Sequence, residues 1–114
     1  MKEKARKYLH DMLRSIELIE SFVANTADFD SYSNDLKTQS AVERQLAIIG
    51  EALNKFRKEE PTLSFKSESQ IISFRNRLIH SYDSIDNTIV WVILRKHLSQ
   101  LKVDVQFFTE EDKI

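Results

Sequence analysis

The chain has 114 residues with one Gly, one Pro and no Cys, where average usage would supply roughly eight glycines and about six prolines. So few turn-formers exclude the many-turned β-sandwiches, barrels and propellers, and the Gly-rich loops of Walker and Rossmann nucleotide sites, whose backbones cannot approach a phosphate without glycine. The absence of cysteine excludes a disulfide framework, a thiolate nucleophile and Cys-based zinc sites, and 17 Lys+Arg against 18 Asp+Glu give a net charge of −1 that does not by itself mark a nucleic-acid binder.

A hydrophobic fraction of 41% beside 31% charged residues describes one soluble globular domain spanning residues 1–114. The longest uninterrupted apolar run, Ile89-Val90-Trp91-Val92-Ile93-Leu94, falls far short of the ~20 residues of a membrane span. The basic, polar start (Lys2, Lys4, Arg6, Lys7) does not lead into the apolar core of a signal peptide. The expected location is therefore the cytoplasm, without membrane attachment.

Taken in order, Ala5, Tyr8, Leu9, Met12, Leu13, Ile16, Ile19, Phe22 and Val23 recur at helical spacing and predict a long first helix over residues 3–25. Residues 28–35 lack that period and are dense in Asp, Ser and Asn, so a loop ending in a helix N-cap is expected. A second helix over residues 35–58 buries Val42, Leu46, Ile49, Leu53 and Phe56, and Pro61 closes it. Within it the single glycine, Gly50, costs about 1 kcal/mol against Ala, which makes Gly50-Glu51 a signal of close helix packing before one of catalysis.

Ser67-Glu68-Ser69-Gln70 fits the capping-box pattern ahead of a third helix that carries Ile71, Phe74, Leu78 and Ile79 and frays near Ser81. Asp86-Asn87-Thr88 offers N-caps for a fourth helix, with Val90, Ile93, Leu94, His97, Leu98, Leu101, Val105 and Phe108 on its apolar stripe. A loose acidic tail is expected over about residues 109–114. Four helices with short connections imply an all-α antiparallel four-helix bundle. The run from Ile89 to Leu94 is apolar around its whole circumference, so a greasy side is expected to remain on the fourth helix, and a homodimer would cover it.

Chemistry-bearing residues concentrate at the end of the third helix. Residues 66–103 hold 6 basic and 3 acidic groups, against 10 and 11 in residues 1–65 and 1 and 4 in residues 104–114. Arg75, Asn76, Arg77, His80 and Tyr82 lie within eight positions. In an ideal helix Arg75 and His80 are separated by about 140° and roughly 7.5 Å of rise, a gap an arginine can span, while Asn76 shares a face with His80 and Arg77 is a second cationic candidate. An imidazole, which ordinarily titrates near about 6.5, can exchange protons with a ribose 2′-hydroxyl or a leaving oxygen, and a guanidinium can neutralise charge on phosphorus. Such a set suits phosphodiester cleavage in RNA without a metal. The same residues could instead only cap helix carbonyls and pair with Asp83 or Asp86. A metal site at His80, Asp83 and Asp86 is a weaker reading, because no second histidine lies nearby. His97 falls on an apolar stripe and reads as a structural histidine, and His10 as part of a solvated helix face.

The stretch Arg75-Asn76-Arg77-Leu78-Ile79-His80 resembles the motif of the HEPN superfamily, Arg followed by a polar residue, three variable residues and His. With Tyr82 two places on, it looks like the Arg-x4-His-x-Tyr form of the HepT toxins. The segments Glu43-Arg44-Gln45-Leu46-Ala47-Ile48-Ile49-Gly50-Glu51-Ala52 and Tyr82 to Asp86 are also similar to that subfamily, so the resemblance covers most of the chain. It implies a HEPN-like helical homodimer whose two motifs line a shared cleft, acting as a metal-independent endoribonuclease and as the toxin of a type VII toxin–antitoxin pair. By the same resemblance His80 and Arg75 are the catalytic pair and Asn76 the supporting polar residue. Tyr82 is then the site where a cognate MntA-like minimal nucleotidyltransferase antitoxin adds AMP. No cofactor is implied for this chain, because ATP is used by the antitoxin. Two other readings stand beside it: by the same resemblance, a non-catalytic helical partner that docks a nucleotidyltransferase, and, from the residues alone, a purely structural bundle.

Overall fold

The computed structural model describes residues 1–113, all helices and connections, with no strand among them. Helix α1 spans Glu3–Phe22, α2 Phe29–Ser33, α3 Leu36–Glu59 and α4 Glu68–His80; a 3-10 turn follows at Tyr82–Ser84. Helix α5 (Asn87–Val92), a π turn (Ile93–His97) and α6 (Leu98–Asp112) then run on without a break as one rod. Four rods therefore make the bundle, with α2 as a small flap.

Contacts at helix ends set the directions. Lys2 at the start of α1 donates its backbone N–H to Glu60 beyond the end of α3, at 3.0 Å. Arg6 meets Asp112 at 2.6 Å, and Lys102 meets Glu20 at 2.9 Å, which joins each end of α1 to the opposite end of α6. Both α3 and α6 thus run antiparallel to α1. Met12, Ile16 and Ile19 of α1, Leu46, Ile49, Leu53 and Phe56 of α3, Ile71 of α4, and Val90, Leu101 and Val105 of the last rod are all buried, the result of one apolar stripe per helix facing inward. Phe56, Phe65 and Phe108 close one end as an aromatic cluster, with ring centroids 5.1–6.3 Å apart.

Several details differ from the sequence expectation, each for an identifiable reason. The segment expected as a loop holds α2, because Asp28 caps it by accepting from Ser31 N–H at 2.9 Å and Tyr32 inserts into the core. That flap meets Trp91, whose ring lies 6.2 Å from Phe29 and 5.8 Å from Tyr32. Much of the expected greasy side is therefore covered from within the chain, and of residues 89–94 only Val92 is counted among the exposed large apolar side chains. The π turn was not foreseen. It accommodates the spacing of the buried residues Val90, Ile93, Leu98, Leu101 and Val105, in which the step of five from Ile93 to Leu98 would rotate off the stripe of a regular α-helix.

Ser67 precedes α4 as expected, yet its hydroxyl makes no cap; it pairs with His97 Nδ1 at 2.9 Å. That bond gives His97 the structural role its stripe position suggested. Helix α6 continues through Asp112, into the segment expected as a tail, and Asp112 meets Arg6 and, at 3.4 Å, the N-terminal ammonium. Ile114, the last residue of that expected tail, lies outside the described residues.

Candidate active site

Arg75 sits midway along α4, where that helix crosses α3 at Gly50. A Cβ built on Gly50 would stand 2.3 Å from Arg75 Cβ and 2.8 Å from its Cγ, closer than non-bonded carbon atoms tolerate. The missing side chain is thus what lets the arginine stem lie against α3. One residue on, Glu51 forms an ion pair through Oε2 with Arg75 Nη2, and its Oε1 stands 3.4 Å from Lys55 Nζ. Arg75 Nη1 donates to Asn76 Oδ1 at 3.1 Å, and its Nε is buried without a partner among the described residues.

The guanidinium lies on the wall of an open groove of about 480 Å³ between α1, α3 and α4, lined by Lys7, Tyr8, Arg44, Glu51, Lys55 and Ile79 among others. Four cations, with Arg75, surround an apolar floor there. Asp11 and Glu51 offset part of that charge; Asp11 pairs with Lys7 at 2.8 Å, holding the Lys7 ammonium above its ordinary value, mainly through that hydrogen bond. Arg77 is not part of this groove. It lines a second one with Phe74, Thr88, Ile89, Val92 and His97, as two helical positions from Arg75 require.

His80 is the last residue of α4 and is exposed. The chain turns immediately after it: Ser81 N–H donates to Arg77 O at 2.8 Å, and Ser84 N–H and Oγ both donate to Ser81 O. This places Tyr82 at the first position of the 3-10 turn with 77% of its surface exposed. The other tyrosines differ. Tyr8 is half-buried, and Tyr32 is fully buried, its hydroxyl pushed above the usual phenol range by desolvation first and by the nearby Glu43 and Asp35 second.

Of the residues singled out from sequence, the structure joins Arg75 to Asn76 and leaves His80 and Tyr82 as exposed neighbours at the helix end. Among the described residues no hydrogen bond links Arg75 to His80. Asp86 caps α5 by accepting from Thr88 N–H at 2.8 Å, a structural role, and among the described residues no three His, Asp or Glu side chains gather as a candidate metal site. His10 is exposed on α1. Glu51, read from the sequence with Gly50 as a packing signal before a catalytic one, is the residue whose part in the site the sequence did not give: the structure makes it the ion-pair partner of Arg75.

The family model described as "Ribonuclease HepT-like" matches residues 12–107. The chain belongs to the HepT-like ribonuclease family. This HepT-like chain is 35% identical over 106 residues to the "Probable ribonuclease HepT" of Thermococcus cleftensis, a match that covers 90% of this chain and 93% of that protein. It is 31% identical over 109 residues to the protein named "Putative RNase MJ1380" of Methanocaldococcus jannaschii, covering 92% and 96%. No solved structure matches the HepT-like chain. None of its helices, among the described residues, is long and apolar enough to cross a membrane.

Proposed function

We propose that the chain is a metal-independent endoribonuclease, the toxin of a type VII toxin–antitoxin pair, in which His80 is the general acid/base and Arg75 stabilises charge on the scissile phosphate. What supports this reading is the presence, in a HepT-like ribonuclease chain, of a guanidinium on a cationic groove and of a solvent-facing imidazole at the end of the same helix. His80 exchanges protons with the attacking 2′-hydroxyl or the leaving 5′-oxygen as the O2′–P bond forms and the P–O5′ bond breaks. Arg75 offers its remaining Nη N–H groups to the non-bridging oxygens, and Asn76 orients that guanidinium through the bond to Nη1.

A homodimer bringing two such helix ends to a shared cleft is part of the proposal. It doubles the positive excess of residues 66–103 that the net charge conceals, so RNA binding is expected to weaken with salt. Regulation runs through Tyr82, the one tyrosine exposed over most of its surface. AMP transferred there from ATP by an MntA-like nucleotidyltransferase antitoxin would add a bulky anion beside the catalytic pair and repel an RNA phosphate.

The test is RNA cleavage by the purified chain in EDTA, after intact mass has shown Tyr82 to be unmodified, comparing wild type with His80→Ala and Arg75→Ala. Cleavage by wild type alone supports the assignment. Equal, negligible cleavage by all three across several RNA classes refutes it and favours a non-catalytic partner of a nucleotidyltransferase. Incubation with that enzyme and ATP is expected to add AMP mapping to Tyr82 by fragmentation; AMP on another residue would refute that part.

A further inference from the structure

We propose that Glu51, set in place by Gly50, is a positioning residue for Arg75: it holds the guanidinium at a fixed place in the groove and masks its charge until substrate phosphate arrives. The inference rests on the ribonuclease reading of Arg75 and deepens it.

Folding energy does not account for the ion pair: one whose carboxylate side chain is 40% exposed adds little to stability. Yet Gly50 is what brings Arg75 Cβ and Cγ against α3, and with the stem so fixed, the head falls beside the carboxylate of the very next residue. A long, rotamer-rich side chain is thereby ordered at both its stem and its tip.

Counting donors shows what remains for substrate. A guanidinium has five N–H groups. The one on Nε is buried; Nη2 gives one to Glu51 and Nη1 gives one to Asn76. One N–H is left on each terminal nitrogen, the pair of atoms suited to bidentate contact with a phosphate.

The carboxylate has a second consequence. Glu51 also meets Lys55, so one negative charge offsets two cations lining the groove. It therefore lowers the attraction of the groove for RNA in the ground state while preserving the geometry needed as charge develops on the phosphate. Only the latter accelerates the reaction.

This predicts a split between binding and turnover. With the full-length, unmodified chain and a cleavable RNA, Glu51→Ala should lower the single-turnover cleavage rate at saturating protein by at least about ten-fold, with Glu51→Gln intermediate because its amide oxygen still accepts from Arg75. The Kd for the same RNA should be unchanged or tighter in both variants, with a steeper salt dependence. Thermal unfolding is measured alongside; a merely structural role would lower the melting temperature and leave the saturated rate of the folded protein alone. An active wild type with an unchanged saturated rate in Glu51→Ala, or a loss confined to Kd, overturns this inference and leaves the ribonuclease reading intact. A wild type that cuts no RNA overturns both. Independently of activity, the Arg75 side-chain resonances in NMR should show slowed guanidinium rotation in wild type that is lost in Glu51→Ala; equal mobility in the two would also overturn it.

Discussion

Replacing Gly50 with Ala isolates the contact on which the groove is built. The added methyl would sit 2.3 Å from Arg75 Cβ, 2.8 Å from Cγ and 3.4 Å from the Ile71 carbonyl oxygen. Arg75 Cβ is anchored to its backbone and cannot swing aside as a side-chain tip would, so α4 has to shift from α3. Overpacking of this kind costs about 1–3 kcal/mol, and the upper part of that range applies because the obstacle is a fixed atom. Alanine returns about 1 kcal/mol through its better helix propensity. The net expectation is a loss of about 1–2 kcal/mol, which at about 4 °C per kcal/mol for a chain of this length lowers the melting temperature by roughly 4–8 °C. Circular dichroism melts, together with urea unfolding followed through the single tryptophan, Trp91, measure this; the urea midpoint should fall at constant slope. A Gly50→Ala protein as stable as wild type, or more so, would refute the close-approach argument, because propensity alone predicts stabilisation.

Two further outcomes follow from the packing and the charges. Phe56→Ala empties the centre of the Phe56–Phe65–Phe108 cluster, where Phe56 has no exposed surface, and should cost about 3–5 kcal/mol in urea unfolding; a loss below about 1 kcal/mol would mean that the cluster is loosely packed. Acid should destabilise the fold through Asp112, Asp28 and Asp35, whose carboxyls are held below the usual carboxylate range chiefly by hydrogen bonds from the Arg6 side chain, from Ser31 N–H and from the Thr38 hydroxyl respectively. With the folded value depressed, each group's stabilising contribution is present above its unfolded value of about 3.9 and is lost as pH falls through the folded one. Glu43, pushed up by burial, acts in the opposite sense and is relieved by acid. Melting temperature against pH should therefore drop below about pH 4, and Asp112→Asn should flatten that drop; an unchanged slope would contradict the role given to the Arg6–Asp112 pair.

Most of the architecture was legible in the residues. The period of the apolar stripes in α1 and α3, the caps at Asp35 and Asp86, and the breaking effect of Pro61 are local properties that act within one or two helical turns, so they can be read without knowing what lies across the bundle. The cluster from Arg75 to Tyr82 was equally visible, because its members are neighbours in sequence, and so was Gly50 as a place of close approach. Harder to read were features whose cause lies far along the chain. Within residues 28–35, Phe29–Ser33 form α2 as Tyr32 meets Trp91 59 positions away, and Ser67 gives up its cap for His97. Asp112 is ordered by Arg6 and the chain's first residue.

The same division runs through the candidate site. The sequence by itself determined which residue types stand on α4, and hence that a guanidinium and an imidazole share one helix. Only the tertiary structure decided that Arg75 and Arg77 open onto different grooves, that Tyr82 is exposed where Tyr32 is sealed, and that Glu51 is the partner of Arg75. The physical reason is that a side chain's charge and reach are fixed by its own chemistry, whereas its partner depends on which helix packs beside it, and that is set by the whole core at once.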